Sequence, residues 1–119
     1  VWGVAKIYET YVGKKPFEGH DPIFSKIRKV GEEFGATTGR ARQVNWMEWD
    51  QLKVAIDING VNKLVFNKVD VLEEIQRWCI YQGMNQFEFD SAEDMQFWIE
   101  HHLEGRNLEI FFSGNKDKI

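Results

Sequence analysis

Short apolar runs alternate along this chain with longer stretches in which apolar residues recur every three or four positions. Residues 1–12 are rich in β-branched and aromatic side chains, which predicts a strand, and the segment from Gly13 to Pro16 breaks it. Three shorter apolar runs predict further strands, at residues 63–66, 77–81 and 108–112.

Helices are predicted between these strands. Asp21 as N-cap and Pro22 in the first turn predict a helix that runs to about Val30 and stops at Gly31. Residues 45–49 lead into a second helix, at 48–58, which Asn59-Gly60 closes, and Leu52, Ala55, Ile56 and Asn59 share one of its faces. A third, short helix at 71–75 starts from Asp70, and a fourth follows the capping-box-like Ser91 to about Leu103 and stops at Gly105.

This alternation of strands and helices predicts an α/β fold. Two polar clusters come directly after apolar strands: Asn67 to Asp70 after Phe66, and Ser113 to Asn115 after Phe112. Open α/β sheets bind ligands beyond the carboxyl ends of their strands. Both clusters are therefore candidates for a binding site.

Composition sets limits on the class of protein. The chain has 119 residues, 43% of them hydrophobic, which fits one small domain with a real core. Its net charge of −4 gives no reason to expect a nucleic acid or an anionic membrane as partner. No apolar run approaches the roughly 20 residues that a membrane-spanning helix needs.

The single cysteine, Cys79, lies in the apolar context Trp78-Cys79-Ile80 and is expected to be an inert core thiol. One cysteine makes neither an internal disulfide nor a cysteine-rich zinc site. A reducing cytoplasm is therefore the expected compartment. Four of the five tryptophans, Trp46, Trp49, Trp78 and Trp98, are likewise expected in the core.

Asn67-Lys68-Val69-Asp70 matches the N/T-K-x-D motif with which GTP-binding proteins read their base. A carboxylate at Asp70 accepts the ring N1–H and the exocyclic amine of guanine together, whereas adenine presents an acceptor at N1. The stem of Lys68 is expected to lie along the base with its ammonium in water. The alternative is that Asp70 simply caps the helix that follows it.

The segment at residues 33–42 combines two glycines, two threonines and two arginines. Glycine permits backbone shapes that expose N–H groups, the hydroxyls add donors, and the guanidinium forks of Arg40 and Arg42 match a carboxylate or a phosphate. The loop is thus a candidate site for a small anion. A surface loop with solvated arginines is the alternative.

Taken together, these segments resemble adenylosuccinate synthetase. The string Gly-Ala-Thr-Thr-Gly-Arg-x-Arg stands at residues 35–42, Trp46-Met47-Glu48 follows it, and Lys68-Val69-Asp70-Val71-Leu72 comes later. Upstream, residues 10–17 match the family's T-x-V-G-x-x-P-F stretch. The similarity is weaker from Ser91 onward, where Phe112-Ser113-Gly114 stands in place of the family's S-T-G-P.

The resemblance implies a ligase that uses GTP to phosphorylate the 6-oxygen of IMP, after which L-aspartate displaces the phosphate. It implies that Thr37, Thr38 and Arg40 hold the aspartate carboxylates, that Arg42 faces GTP, and that Lys68 and Asp70 read guanine. The implied aspartate and IMP set is Val12, Ala36, Thr37, Thr38, Gly39 and Arg40. The implied GTP set is Arg42, Lys68, Val69, Asp70, Phe112, Ser113 and Gly114.

Parts of the family pattern have no counterpart here. The family's glycine-rich phosphate loop, with its catalytic Asp and Mg²⁺ contacts, and its catalytic His match nothing in residues 1–119, and His20, His101 and His102 lie in no matching motif. The resemblance therefore implies a single partial domain, the C-terminal portion of a P-loop NTPase-like fold. It would hold neither catalytic nor metal-binding residues and would be inactive alone.

Three further expectations follow. The lost N-terminal portion, or a homodimer, should cover a contiguous apolar patch. The short segment between Ile75 and Ser91 resembles shortened phage relatives, some of which act on dGMP instead of IMP. A non-catalytic GTP-binding module remains an alternative to the ligase fragment.

Overall fold

A computed structural model of the chain describes residues 1–35 and 39–114. It confirms the α/β class. Within the described residues the strands are β1 (Trp2–Lys6), β2 (Tyr8–Tyr11), β3 (Gln43–Glu48), β4 (Lys63–Asn67), β5 (Trp78–Gln82), β6 (Asn85–Phe89) and β7 (Glu109–Phe112). The helices are α1 (Ile23–Val30), α2 (Trp49–Asn59), α3 (Val69–Ile75) and α4 (Ala92–His102).

Three of the strands form a parallel sheet in the order β1-β4-β7. The register places Ala5 beside Phe66 and Phe66 beside Phe112. Because all three strands run the same way, their carboxyl ends lie at one edge of the sheet. This edge is where the predicted polar clusters meet.

The other four strands form a mixed sheet in the order β2-β3-β5-β6. Strand β2 is antiparallel to β3, β3 is parallel to β5, and β5 and β6 form an antiparallel hairpin. Gly83, with φ of 61°, turns that hairpin. Glycine suits this position because a left-handed backbone is unfavourable for residues with a Cβ.

The prediction of one strand over residues 1–12 is wrong in one respect. The chain passes from the parallel sheet to the mixed sheet at Ile7, whose N–H donates to the carbonyl of Asn67 at 3.0 Å. Strand β1 pairs with β4, and β2 pairs with β3. One apolar run thus connects both sheets.

Two strands were missed. The sequence predicts residues 45–49 as the approach to a helix, but β3 is a strand in which Val44 and Trp46 are buried and Asn45 between them is half-buried. Strand β6 carries three polar residues, Asn85, Gln86 and Glu88, and is stabilised by pairing with β5 rather than by its own burial. Such pairing is decided by the neighbouring strand.

The predicted helices are all present with small shifts. Helix α1 begins at Ile23, one residue later than predicted, and the carboxylate of Asp21 accepts from the N–H of Ile23 at 3.0 Å. Gly60 ends α2 in the left-handed conformation. Ser91 caps α4 by accepting from the N–H of Asp94 at 3.1 Å. On the predicted face of α2, Ile56 is buried but Ala55 is exposed.

One hydrophobic cluster extends through both sheets, and it includes Trp46, Trp49 and Trp78, with Trp98 packed against it. The core placement of the tryptophans is confirmed. Cys79 is fully buried, and burial raises the pKa of its thiol to about 11. An inert thiol follows, because the thiolate is the reactive form.

The outer face of the parallel sheet is apolar and exposed. Trp2 and Val4 of β1 are 60% and 69% exposed, and Phe111 of β7 is 42% exposed. Trp2 and Phe111 stack with ring centroids 5.7 Å apart, and Lys63 lies over the Trp2 ring. Parallel sheets are normally covered on both faces. The expected contiguous apolar patch is therefore present.

Candidate functional site

The two polar clusters meet at the carboxyl edge of the parallel sheet, except for Asn115, which lies outside the described residues. The N–H of Ser113 donates to the carbonyl of Phe66 at 2.8 Å, and the N–H of Val69 donates to the carbonyl of Ser113 at 3.4 Å. The backbone after β7 therefore lies directly against the start of α3. Residues that are far apart in sequence share one edge because β4 and β7 are neighbours.

Gly114 lies so close to Asp70 that no side chain fits between them. A Cβ at Gly114 would lie 2.5 Å from the backbone nitrogen of Asp70 and 3.2 Å from its Cβ. Real Cβ atoms do not approach a backbone atom this closely, so the close approach requires glycine. This contact fixes the predicted GTP-binding residue Gly114 beside Asp70.

The helix-cap interpretation of Asp70 is wrong. Helix α3 begins at Val69, so Asp70 lies in its first turn, and no side chain caps the helix. Lys68 precedes the helix in the left-handed conformation, with φ of 64°. The carboxylate of Asp70 is thereby left exposed at the strand edge, next to the positive end of a helix.

The ammonium of Lys68, predicted to lie in water, has a protein partner in the structure. Its Nζ donates to the backbone carbonyl of Gly31 at 3.0 Å. Gly31 follows α1, so the bond joins the end of α1 to the start of α3. The aliphatic stem of Lys68 is consequently held across the strand end rather than free to move.

Two depressions flank Asp70 and Gly114. One, of about 570 Å³, is bordered by Val69, Asp70, Glu73, Gln96, Phe112, Ser113 and Gly114. The other, of about 90 Å³, is bordered by Val30, Gly31, Glu32, Asn67, Lys68, Asp70, Val71 and Gly114. The predicted guanine-reading residues and the residues after β7 thus line the same surface. Asn67, which borders the smaller depression, has a buried side-chain oxygen that accepts no hydrogen bond from the described residues.

A buried carboxylate lies just past Gly31. Glu33 is 1% exposed and is held by three side chains, a group named here the Glu33 cluster. Its Oε1 accepts from Lys6 Nζ at 2.9 Å and from Arg42 Nη1 at 3.0 Å. Its Oε2 accepts from the hydroxyl of Tyr8 at 2.5 Å. Both oxygens are therefore satisfied by the described residues.

Electrostatics within the Glu33 cluster follow from this geometry. Burial opposes the ionisation of Glu33, but the hydrogen bonds from Tyr8, Lys6 and Arg42 outweigh it, and the pKa of Glu33 lies below its usual range. Burial, with the Glu33 hydrogen bond and charge, raises the pKa of Tyr8 far above its ordinary value. Glu33 is thus an anion and Tyr8 a neutral donor at neutral pH.

Arg42 and Val12 lie at the far end of this site. Tyr11 of β2 pairs with Gln43 of β3, so the residues that flank them, Val12 and Arg42, lie at the same end of the two strands. Arg42 donates its backbone N–H to the carbonyl of Glu33 at 3.0 Å, and its own carbonyl accepts from Arg28 Nε at 2.7 Å. The predicted residue Arg42 is therefore fixed through both backbone and side chain.

The predicted acid-binding loop closes on itself. The N–H of Gly35 donates to the carbonyl of Arg40 at 2.7 Å, and the N–H of Gly39 donates to the carbonyl of Gly35 at 2.8 Å. Arg40 is exposed, and Gly39 has φ of 67°. The predicted residues Ala36, Thr37 and Thr38 lie outside the described residues.

Sequence reasoning singled out Arg42 but assigned no role in a site to Lys6, Tyr8 or Glu33. The available signal was a lone charge in an apolar strand: Lys6 stands between Ala5 and Ile7, where a lysine needs a partner. A further depression of about 330 Å³ borders Lys6 and Tyr8, together with Ala5, Glu9, Thr10, Met47, Gln51 and Leu52. None of the predicted binding residues borders it.

Neither a metal site nor a membrane span is found in the described part of the chain. No three His, Cys, Asp or Glu side chains there are grouped to hold a metal ion. None of its helices has the length and hydropathy to cross a bilayer. His101 and His102 are exposed on α4, and the His102 ring stacks on Trp98 with centroids 4.0 Å apart.

Comparisons with known proteins agree with this architecture. The family model for adenylosuccinate synthetase matches residues 1–97. An adenylosuccinate synthetase of Psychrobacter cryohalolentis is 38% identical, over 82% of this chain and 24% of the relative. That of Cytophaga hutchinsonii is 49% identical, over 64% of this chain and 19% of the relative. That of Oceanobacillus iheyensis is 36% identical, over 92% of this chain and 30% of the relative.

A solved structure gives the same result. The fully ligated adenylosuccinate synthetase of Plasmodium falciparum superposes with a TM-score of 0.60 at 32% identity, over 66% of this chain and 19% of that chain. The chain thus spans less than a third of the length of these relatives. The family model, the relatives and the structural match lead to one conclusion: the chain belongs to the adenylosuccinate synthetase family.

Proposed function

We propose that this chain supplies the guanine-reading and acid-binding parts of a purine-biosynthesis ligase that joins IMP and L-aspartate at the expense of GTP. One observation supports this most directly. Lys68 and Asp70 lie at the same sheet edge as Ser113 and Gly114, with Gly114 packed against the backbone of Asp70. A base that enters this edge would meet the exposed carboxylate with a glycine backbone alongside.

In this proposal Asp70 accepts the N1–H and the amino group of guanine as a charge-assisted pair. The hydrogen bond to Gly31 fixes the Lys68 side chain, so its stem forms one wall of the base site before the nucleotide binds. Ser113, with Phe112 and Gly114, closes the opposite side. Val69 contributes its backbone at the start of α3.

At the other end, Arg42 would face the rest of GTP, and the loop at residues 35–40 would hold aspartate. Arg40, together with Thr37 and Thr38, supplies cationic and hydroxyl donors that suit two carboxylates. Ala36 and Gly39 belong to the same loop, and Val12 would lie near IMP. Aspartate is then placed to displace the phosphate from the activated 6-oxygen of IMP.

The residues that transfer the phosphoryl group are proposed to lie outside this chain. The described residues provide no metal cluster, so the Mg²⁺ that accompanies GTP is not assigned to them. Its ligands, and the catalytic residues, would come from an N-terminal portion of the enzyme. This chain alone is proposed to be inactive. The assembled enzyme is proposed to lie in the cytoplasm and to act on IMP rather than dGMP.

The exposed face of the parallel sheet supports a covering partner. Trp2, Val4 and Phe111 form an apolar surface on a type of sheet that is normally covered on both sides. We expect the N-terminal portion to cover it, and the assembled enzyme to be a homodimer. A non-catalytic GTP-binding module is the alternative, and it predicts GTP binding by this chain with no gain of activity on complementation.

The base assignment is tested by Asp70→Asn. An amide offers one donor and one acceptor, which suits xanthosine triphosphate and not GTP. The substitution should weaken GTP binding by about 10- to 100-fold, as expected for a lost charge-assisted pair, and improve xanthosine triphosphate binding. Calorimetry with both nucleotides measures this, with Glu74→Gln on the exposed side of α3 as the charge-matched control. Unchanged preference for GTP would contradict the proposal.

The ligase assignment is tested by complementation. This chain is mixed with the N-terminal portion of an adenylosuccinate synthetase, and adenylosuccinate formation is followed with IMP or dGMP as acceptor. Activity that requires both parts and IMP supports the proposal. Activity with dGMP but not with IMP would identify dGMP as the acceptor. GTP binding without any activity would favour the non-catalytic module.

A further inference from the structure

The stability of the core does not by itself explain why a carboxylate, Glu33, is buried there. Its carboxylate is 1% exposed, while the cations on it are about one third exposed, Lys6 at 28% and Arg42 at 31%. Burying a charge is costly, and apolar side chains often stabilise a core as well as a buried ion pair does. What a carboxylate provides and a leucine does not is a fixed direction for the cations that it binds.

The two oxygens of Glu33 divide their partners. Oε1 receives both Lys6 Nζ and Arg42 Nη1, whereas Oε2 receives only the Tyr8 hydroxyl among the described residues. One anion thus faces two cations on the same oxygen. The side chains of the Glu33 cluster carry a net charge of one positive unit. An anion would contact this charge at the exposed parts of Lys6 and Arg42.

Glu33 is also tied to the guanine end of the site. Gly31, two residues before it, accepts the hydrogen bond from Lys68. A Cβ at Gly31 would lie 2.3 Å from the Tyr8 hydroxyl oxygen, so this turn packs tightly against the Glu33 cluster. The turn from Gly31 to Glu33 therefore sets the spacing between Lys68 and Arg42.

We infer that Glu33 is a positioning residue for Arg42: by holding Nη1 on Oε1, it presents the rest of the guanidinium to an anionic group of the bound nucleotide. This rests on the proposed function only in that Arg42 contacts the nucleotide. Glu33 itself touches no ligand. Tyr8 stabilises the carboxylate through the other oxygen and does not orient Arg42.

Because Arg42 and Tyr8 bind different oxygens of Glu33, two variants can separate their effects. Glu33→Gln weakens the hold on Arg42, and Tyr8→Phe removes a hydrogen bond of the same carboxylate without touching Arg42. Asp57→Asn removes one negative charge from an exposed pair with Arg106, away from the site, and serves as the charge control. GTP binding is measured by calorimetry for the wild-type chain and the three variants, with stability followed by urea unfolding.

We expect Glu33→Gln to weaken GTP binding about tenfold, as for one lost charge-assisted hydrogen bond. Tyr8→Phe and Asp57→Asn should leave GTP binding within about twofold, even though Tyr8→Phe lowers stability. Equal weakening by Glu33→Gln and Tyr8→Phe would overturn the inference, because it would show that Glu33 acts only through stability. Should Glu33→Gln fail to fold, Glu33→Asp keeps the charge but shortens its reach, and the same tenfold loss is expected.

A second measurement needs no nucleotide. Nitrogen-15 NMR of the Arg42 guanidinium, assigned by its loss in Arg42→Lys, should show separate Nη signals in the wild type and in Tyr8→Phe, because rotation is restricted. The signals should average in Glu33→Gln. Unchanged Arg42 signals in Glu33→Gln would refute the positioning role. Absence of GTP binding even after complementation with the N-terminal portion would count against the proposed function, while this spectrum would still decide the role of Glu33.

Discussion

The strand-end site around Asp70 and the Glu33 cluster are neighbours with opposite construction. Around Asp70 the groups are positioned by backbone contacts, such as Ser113 with Phe66 and Gly114 with Asp70, and the carboxylate itself is exposed. In the Glu33 cluster the carboxylate is buried and is positioned by three side chains. Substitution of a side chain should therefore damage the second region far more than the first.

The largest effect is expected for Glu33→Ala. The substitution leaves the buried Tyr8 hydroxyl without its hydrogen-bond acceptor and removes the negative charge between Lys6 and Arg42. It should therefore lower the free energy of unfolding by about 3 kcal/mol. Urea unfolding at neutral pH measures it. Glu74→Ala, on the exposed side of α3, should change stability by no more than about 0.5 kcal/mol. A similar small loss at Glu33 would mean that the two regions do not differ.

A smaller effect is expected for Gly31→Ala, which tests the turn that joins the two regions. The new Cβ would lie 2.3 Å from the Tyr8 hydroxyl oxygen and 3.1 Å from the carbonyl of Ile27. Overpacking of this kind should cost about 2 kcal/mol. In a Tyr8→Phe background the hydroxyl is gone, so Gly31→Ala should cost about 1 kcal/mol less. Additive losses in the double variant would show that the turn does not press on Tyr8.

The smallest effect is expected from acid, which protonates Glu33 without removing it. Because the pKa of Glu33 is lowered in the folded protein, its contribution is present above the unfolded pKa and is lost as pH falls through the folded one. Wild-type stability should therefore fall more steeply than that of Glu33→Gln below about pH 4.5, the ordinary value for glutamate. Urea midpoints between pH 6 and pH 3 compare the two, and parallel curves would contradict this account.

Sequence reasoning was accurate where a local signal decided the structure. The cap at Ser91, the stop at Gly60 and the strand at residues 63–66 depend on neighbours in the chain, and all are found. It was inaccurate where a distant strand decided. Strand β6 exists because β5 is beside it, and the run at residues 1–12 divides because β4 pairs with its first half and β3 with its second.

By itself, the sequence determined the α/β class and the family, and it predicted the binding chemistry of Asn67 to Asp70 and of the loop around Arg40, because residue types and their spacing are sequence properties. Only the tertiary structure decided that Asp70 is not a helix cap, that Lys68 is held by Gly31, and that Glu33 binds Lys6, Tyr8 and Arg42. The physical reason is distance along the chain. The partners of a buried charge come from whichever strands and turns the sheet order brings beside it, and no local pattern encodes that order.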